Sequence, residues 1–274
     1  AEDWDKAQEY LFKAGDQAGR MAADAEALEH FRQAEAAYLK AFGDKLSPLQ
    51  RASLARKIGA ALYGTGHYEQ ALEQFRRALS QLGLHYPTSR GGVRRAMLKH
   101  LGAHFIRRLR RRLGIPVKPN MDPEAAKEIS AVCHHMSWID YFLDKERMVL
   151  DSLLELHAGE HSHYALAEAR GLSSLGYVFM TFNARRLARK YHTKAGAVAQ
   201  RSGNPSAIAF AWFTLGSLDF FEGMWDACES DFDKSATAYH EAGDIHGWGG
   251  AKLFLSFVVY FRGNLPLAVT LNSE

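Results

Sequence analysis

With 274 residues, 47% of them hydrophobic and 24% charged, the chain has the apolar content for a large buried core, and this excludes a disordered chain. No apolar run approaches the roughly 18 residues of a membrane-spanning helix. The opening residues AEDWDKAQEY lack the basic and apolar regions of a secretory signal, so a cytoplasmic protein is expected. The formal net charge of +3 is unevenly placed: Gln74 to Met121 holds twelve Lys and Arg and no Asp or Glu, leaving 22 basic and 31 acidic residues elsewhere.

From the N-terminus, LFKAGDQAGRMAADAEALEHFRQA sets Leu11, Ala14, Gly15, Ala18, Ala27, Phe31 and Ala34 at helical spacing. The linking stretch AEAAYLKAFGDKLSP follows. Next, RASLARKIGAALYGTGHYEQALEQFRRALSQLG divides at Gly64-Thr65-Gly66 into two amphipathic runs, the pattern of a helix, a tight turn and an antiparallel helix. Its Ala55, Ile58, Gly59, Leu62, Ala71, Phe75 and Ala78 match the first unit in register, with Gly66 and Tyr68 at two further positions of the pattern. Small residues there let paired helices approach, and the large ones fill the space between them.

The least repeat-like stretch is RGGVRRAMLKHLGAHFIRRLRRRLGIPVKP. Val93, Met97, Leu101, Phe105, Leu109 and Leu113 recur every fourth residue with Leu98 and Ile106 beside them, which predicts an amphipathic helix. Arg94, Arg95, Arg107, Arg108, Arg110, Arg111 and Arg112 form its basic surface. Three readings are open: the stripe packs on the repeats while the basic face meets an acidic neighbouring domain, or the helix meets an anionic membrane surface, or it meets nucleic acid. The absence of aromatics among Arg107 to Arg112 argues against nucleic acid.

MDPEAAKE then reads as a helix start, with Asp122 as N-cap, Pro123 in the first turn and Glu124 at the positive end of the helix dipole. A degenerate unit over 122–160 follows, its helices in AAKEISAVCHHMSWIDYFL and KERMVLDSLLELHA. In LHAGEHSH, His157 and His161 would share a face only if the helix ran through Gly159; glycine there predicts a turn, and no metal site is expected. CHHM (Cys133 to Met136) lies within a helix whose successive residues diverge, and Cys133 and Cys228 are expected to be reduced and buried.

Three further copies complete the chain. Leu172, Leu175, Gly176, Phe179, Ala188 and Ala195 define one. Trp212, Leu215, Gly216, Gly223, Trp225, Cys228, Phe232 and Ser235 define the next, and Leu255, Ser256, Val259, Gly263 and Ala268 the last. Gly176, Gly216 and Ser256 are 40 residues apart in each step. All seven prolines fall where the periodicity breaks, and no segment alternates as a strand does.

These spacings resemble the tetratricopeptide repeat, usually about 34 residues long. The resemblance implies an all-α, right-handed superhelical solenoid of about six hairpins, with longer helices or loops to reach 40 residues. The expected divisions are N-terminal hairpins over 1–89, the basic helix and a proline-containing linker over 90–121, and C-terminal hairpins over 122–274. The last hairpin has only NLPLAVTLNSE for its second helix, and truncation of a longer polypeptide is expected.

Degenerate repeats interrupted by RRAMLKHLGAHFIRRLRRRL and followed by SWIDYFLDKERMVLDSLLEL resemble the C-terminal region of bacterial multidomain STAND-type signalling ATPases, in which a nucleotide cyclase or Ser/Thr kinase domain precedes the ATPase. The resemblance implies a noncatalytic regulatory arm that binds a protein or peptide, or its attached domains in cis. GTGHYE and GWGGAK lack the context and spacing of a phosphate loop, so neither an enzyme activity nor a cofactor is expected.

Positions that line the concave face in such repeats supply a candidate aromatic groove: Tyr177, Met180, Phe210, Phe213, Phe220, Phe221, Phe257, Tyr260 and Phe261. Two outcomes are open for these rings, an exposed groove or burial as core. Alternative functions are a small-molecule sensor with a closed apolar cavity and a homodimerisation module.

Overall fold

A computed structural model describes residues 4–43, 45–116 and 118–273. Among the described residues there are thirteen α-helices and no strand. The first four are α1 (Trp4–Arg20), α2 (Asp24–Phe42), α3 (Pro48–Gly64) and α4 (Tyr68–Gln81), followed by the long α5 (Arg90–Arg112). The rest are α6 (Pro123–Leu143), α7 (Lys145–Ser162), α8 (Ala165–Thr181), α9 (Arg185–Ser202), α10 (Pro205–Glu222), α11 (Trp225–Glu241), α12 (Ile245–Phe261) and α13 (Leu265–Ser273).

Local chemistry sets the helix starts. Asp122 accepts a hydrogen bond from the Ala125 amide at 3.0 Å ahead of Pro123, as the sequence predicts. Asn204 accepts from Ala207 N at 3.1 Å ahead of Pro205 in the same way. Ser47 and Gln50 close a reciprocal capping box around Pro48.

The 40-residue period resolves into two halves of 20. α7, α9, α11 and α13 begin at residues 145, 185, 225 and 265, and α8, α10 and α12 at 165, 205 and 245. The turns keep the same count in left-handed backbone: Asn183, Gly223 and Gly263 inside hairpins, and His163, Gly203 and Gly243 between them. Helices of 17 or 18 residues, with turns of two or three, account for the added length.

The chain forms two compact units, residues 1–115 with 121–151, and residues 116–120 with 152–274. Each is a stack of helical hairpins, the arrangement of an all-α helical-repeat solenoid. In the first, α1 pairs with α2 and α3 with α4, and α6 packs directly on α3 and α4. In the second, α8 pairs with α9, α10 with α11 and α12 with α13, with α10 also touching α8 and α12.

One contact recurs inside the hairpins. A glycine in the first helix receives an aromatic ring sixteen residues later: Gly15 and Phe31, Gly59 and Phe75, Gly176 and His192, Gly216 and Phe232. An added Cβ would lie 2.6 Å from Phe31 and from Phe75, 2.7 Å from His192 and 3.3 Å from Phe232. In the last hairpin the same two positions are polar, and Ser256 Oγ donates to Asn272 Oδ1 at 3.2 Å. Cys133 and Cys228 are both buried free thiols.

Glycine also corrects one expectation. α7 continues through Gly159 to Ser162 instead of turning there. A Cβ on Gly159 would lie 2.2 Å from the Glu168 amide nitrogen, and one on Gly171 2.5 Å from Leu156 Cα. Glycine serves here as a seam that lets α7 and α8 touch backbone to backbone.

Candidate functional site

The aromatic residues singled out by repeat position divide into two groups. Phe210 and Phe213 are buried, so they belong to the core rather than to an open groove. Phe213 lies between Phe232 and Phe254, with centroids at 5.6 and 5.2 Å, because α10 is contacted on several sides by its neighbours. Tyr177, Met180 and Phe220 are half-buried. Phe221, Phe257, Tyr260 and Phe261 are exposed.

The exposed rings meet at one edge of the second unit, where α10 and α12 end. Phe220 is the hub: its centroid lies 5.8 Å from Phe221, 5.6 Å from Trp225 and 5.8 Å from Phe261. Trp225 stacks on Phe261 at 6.3 Å, and Phe261 meets Tyr260 at 5.6 Å. Leu265 is exposed at the start of α13. Arg262 binds Asp226 at 2.8 Å and Glu229 at 2.6 Å, giving the α11 side of this edge a polar border. The periodicity that placed Trp225 among packing positions hid its role. The available signal was its spacing, since Trp225 and Leu265 are repeat equivalents, as are Phe221 and Phe261.

The basic helix takes an orientation that its sequence leaves open. A residue every fourth position drifts by roughly 40° per step in an α-helix, so Val93 and Leu113 lie roughly 160° apart. Val93 is accordingly buried, Met97 and Leu101 are half-buried, and Phe105, Leu109 and Leu113 are exposed with Leu98 and Ile106. On the opposite side His104 and Arg107 are buried. Arg107 is only 6% exposed and so leaves the basic surface. Arg95, Arg110, Arg111 and Arg112 are exposed and Arg108 is half-buried. Arg94 is exposed and held by Glu146 at 2.7 Å.

A buried polar cluster in the first unit has no signal in the sequence patterns. Tyr86 donates to Asp151 Oδ1 at 2.7 Å, while the Oδ2 atoms of Asp140 and Asp151 are buried with no hydrogen-bond partner. Burial pushes Asp140 up to about 6 and Asp151 well above the usual carboxylate range, in the latter case reinforced by the Asp140 charge. Two carboxyls that interact in this way titrate as a pair. Arg147 binds the carbonyls of Pro87 and Thr88 at 2.9 and 2.8 Å, fixing the loop that carries Tyr86.

His157 and His161 do share a face once α7 continues, with Nε2 and Nδ1 3.0 Å apart. Among the described residues, no three His, Cys, Asp or Glu side chains are grouped to hold a metal ion, and no helix is long and apolar enough to cross a membrane.

No family model matches the chain, and no curated protein matches it. Among solved structures it is similar to BtubC (BKLC) from P. vanneervenii, at 13% identity over 99% of this chain and 89% of that one, with a TM-score of 0.48.

Proposed function

We propose that the chain is a noncatalytic partner-binding module, and that the aromatic edge of its second unit receives an apolar or amphipathic helical segment of another protein or of a neighbouring domain. The observation that carries this reading is the contiguous run of exposed rings, Phe221, Trp225, Tyr260 and Phe261, seated on Phe220. Clustered rings exposed on a surface mark interaction sites, and Trp and Tyr are rich in hot-spot energy because they bury large rigid areas at small entropic cost. The polar border around Arg262 suits a partner whose apolar face is flanked by charge. A regulatory role in a larger signalling protein, as the repeat resemblance implies, makes the attached domains natural partners.

The test is selection of helical peptides from a display library on the full chain, followed by titration of the winners against substituted chains. Peptides with apolar residues at helical spacing are expected. Tyr260→Ala and Phe261→Ala should each weaken them by about tenfold or more, while Leu98→Ala in the first unit leaves them unchanged. Winners indifferent to the Tyr260, Phe261 and Phe221 substitutions would remove this edge as the binding surface.

A further inference from the structure

The half of α5 nearest its C-terminus presents an apolar stripe outward, away from the side on which it is buried. Leu98, Phe105, Ile106, Leu109 and Leu113 fall within an arc of roughly 100°, a width that suits insertion into an apolar phase. Phe105 is 55% exposed and Leu113 66% exposed, and Ile115 just beyond the helix is exposed too. An amphipathic helix that merely covers a protein core has the opposite arrangement. Here the buried side holds His104 and Arg107 with Val93, and the solvent side holds five large apolar residues.

Charge borders the stripe on both sides. By helical angle, Arg94 and Arg112 flank one margin and Lys99 and Arg110 the other, with Arg95 near the N-terminal end. Arg94 is paired with Glu146 at 2.7 Å, and from Gln74 to Met121 the sequence itself holds no acidic residue beside the others.

We infer that the outward face of α5 is a peripheral docking surface for an anionic lipid bilayer. Leu98, Phe105, Ile106, Leu109 and Leu113 enter the acyl boundary, and the bordering arginines and lysine lie at the level of the phosphate headgroups. The choice of a bilayer over nucleic acid follows from the centre of the surface. Five large apolar side chains find a partner in acyl chains and none in a hydrated phosphate backbone, while the arginine border is complementary to anionic headgroups. The long arginine side chains reach outward from the margins while their stems cover apolar surface.

The experiment is flotation of the full chain with vesicles of phosphatidylcholine alone and of phosphatidylcholine with roughly one-third phosphatidylserine. Binding is expected to the anionic vesicles only, falling by about tenfold or more when salt is raised to about 0.5 M. The double substitution Phe105→Ala/Leu109→Ala should lower that binding by about tenfold or more through lost insertion. Arg110→Gln/Arg112→Gln should lower it separately while leaving the stripe intact. Both pairs are exposed, so circular dichroism and melting temperature should match the unsubstituted chain, and if one pair fails to fold the other still decides. Hydrogen exchange across 105–115 should slow on adding anionic vesicles.

Equal binding to both vesicle types, or binding to neither, overturns the proposal. So does capture of a DNA duplex that survives the Phe105→Ala/Leu109→Ala change, which would make the arginines a nucleic-acid surface. A concentration-dependent dimer abolished by that change, without vesicle binding, would assign the stripe to a second copy of this chain.

Discussion

At the scale of single residues, two positions show how the hairpins are tuned. Gly159 stands where the α8 backbone comes so close that a methyl group would meet the Glu168 amide at 2.2 Å. Backbone cannot yield as a side-chain tip can, so Gly159→Ala should cost about 3 kcal/mol or more in urea unfolding despite the higher helix propensity of alanine. His192 occupies the slot that phenylalanine fills beside Gly15, Gly59 and Gly216, and both of its ring nitrogens are buried without a partner. Burial lowers its pKa to about 3, with Arg189 adding to the effect. Because the folded pKa is depressed for a base, the native state binds fewer protons than the unfolded one between about pH 3 and 6.5. Stability therefore rises with pH across that window and is lost on acidification. His192→Phe should remove that slope, so its gain in unfolding free energy should be larger at pH 5 than at pH 8. An equal gain at both would show that the imidazole is not held neutral by burial.

At the scale of elements, the loop after α4 and the facing parts of α6 and α7 are joined by one polar cluster. Asp140 lies on α6, Asp151 on α7 and Tyr86 in the loop, and Arg147 anchors that loop through Pro87 and Thr88. Arg76 and Asp144 also bear on Asp140 through their charges. The sign is opposite to that of His192: both carboxyls have raised folded pKa values, so the native state keeps protons that the unfolded chain has released. Their contribution to stability is present at low pH and falls as pH rises from near 4 through about 6 and beyond. Asp140→Asn removes one charge and relieves the other carboxyl. The substituted chain should lose less stability between pH 5 and pH 7.5 than the parent in paired urea titrations. Taking the difference between the two proteins cancels the His192 slope, which both retain.

At the scale of the whole molecule, stacked hairpins contact mainly their neighbours, so damage in one should weaken its own unit first. Phe75 and Phe232 are both fully buried, one in each compact unit. Phe75→Ala should lower hydrogen-exchange protection across α3 and α4 far more than across α10 and α11, and Phe232→Ala the reverse, each costing roughly 3–5 kcal/mol locally. A uniform loss of protection in either variant would mean that the units unfold as one. The sequence by itself determined the helices, their caps and the 40-residue period. These depend on neighbours along the chain, on Asp122 reaching Ala125, and on small and large residues recurring in register. It also placed Phe221 and Phe261 as equivalents, although it could not separate them from Phe210 and Phe213, because all four satisfy the same local periodicity. Only the tertiary structure decided which rings face a neighbouring helix and which face solvent. It likewise turned the Phe105 to Leu113 stripe outward, carried α7 through Gly159 and brought Asp140, Asp151 and Tyr86 together. Each of these outcomes depends on how closely helices distant in sequence approach, a distance that no local spacing encodes.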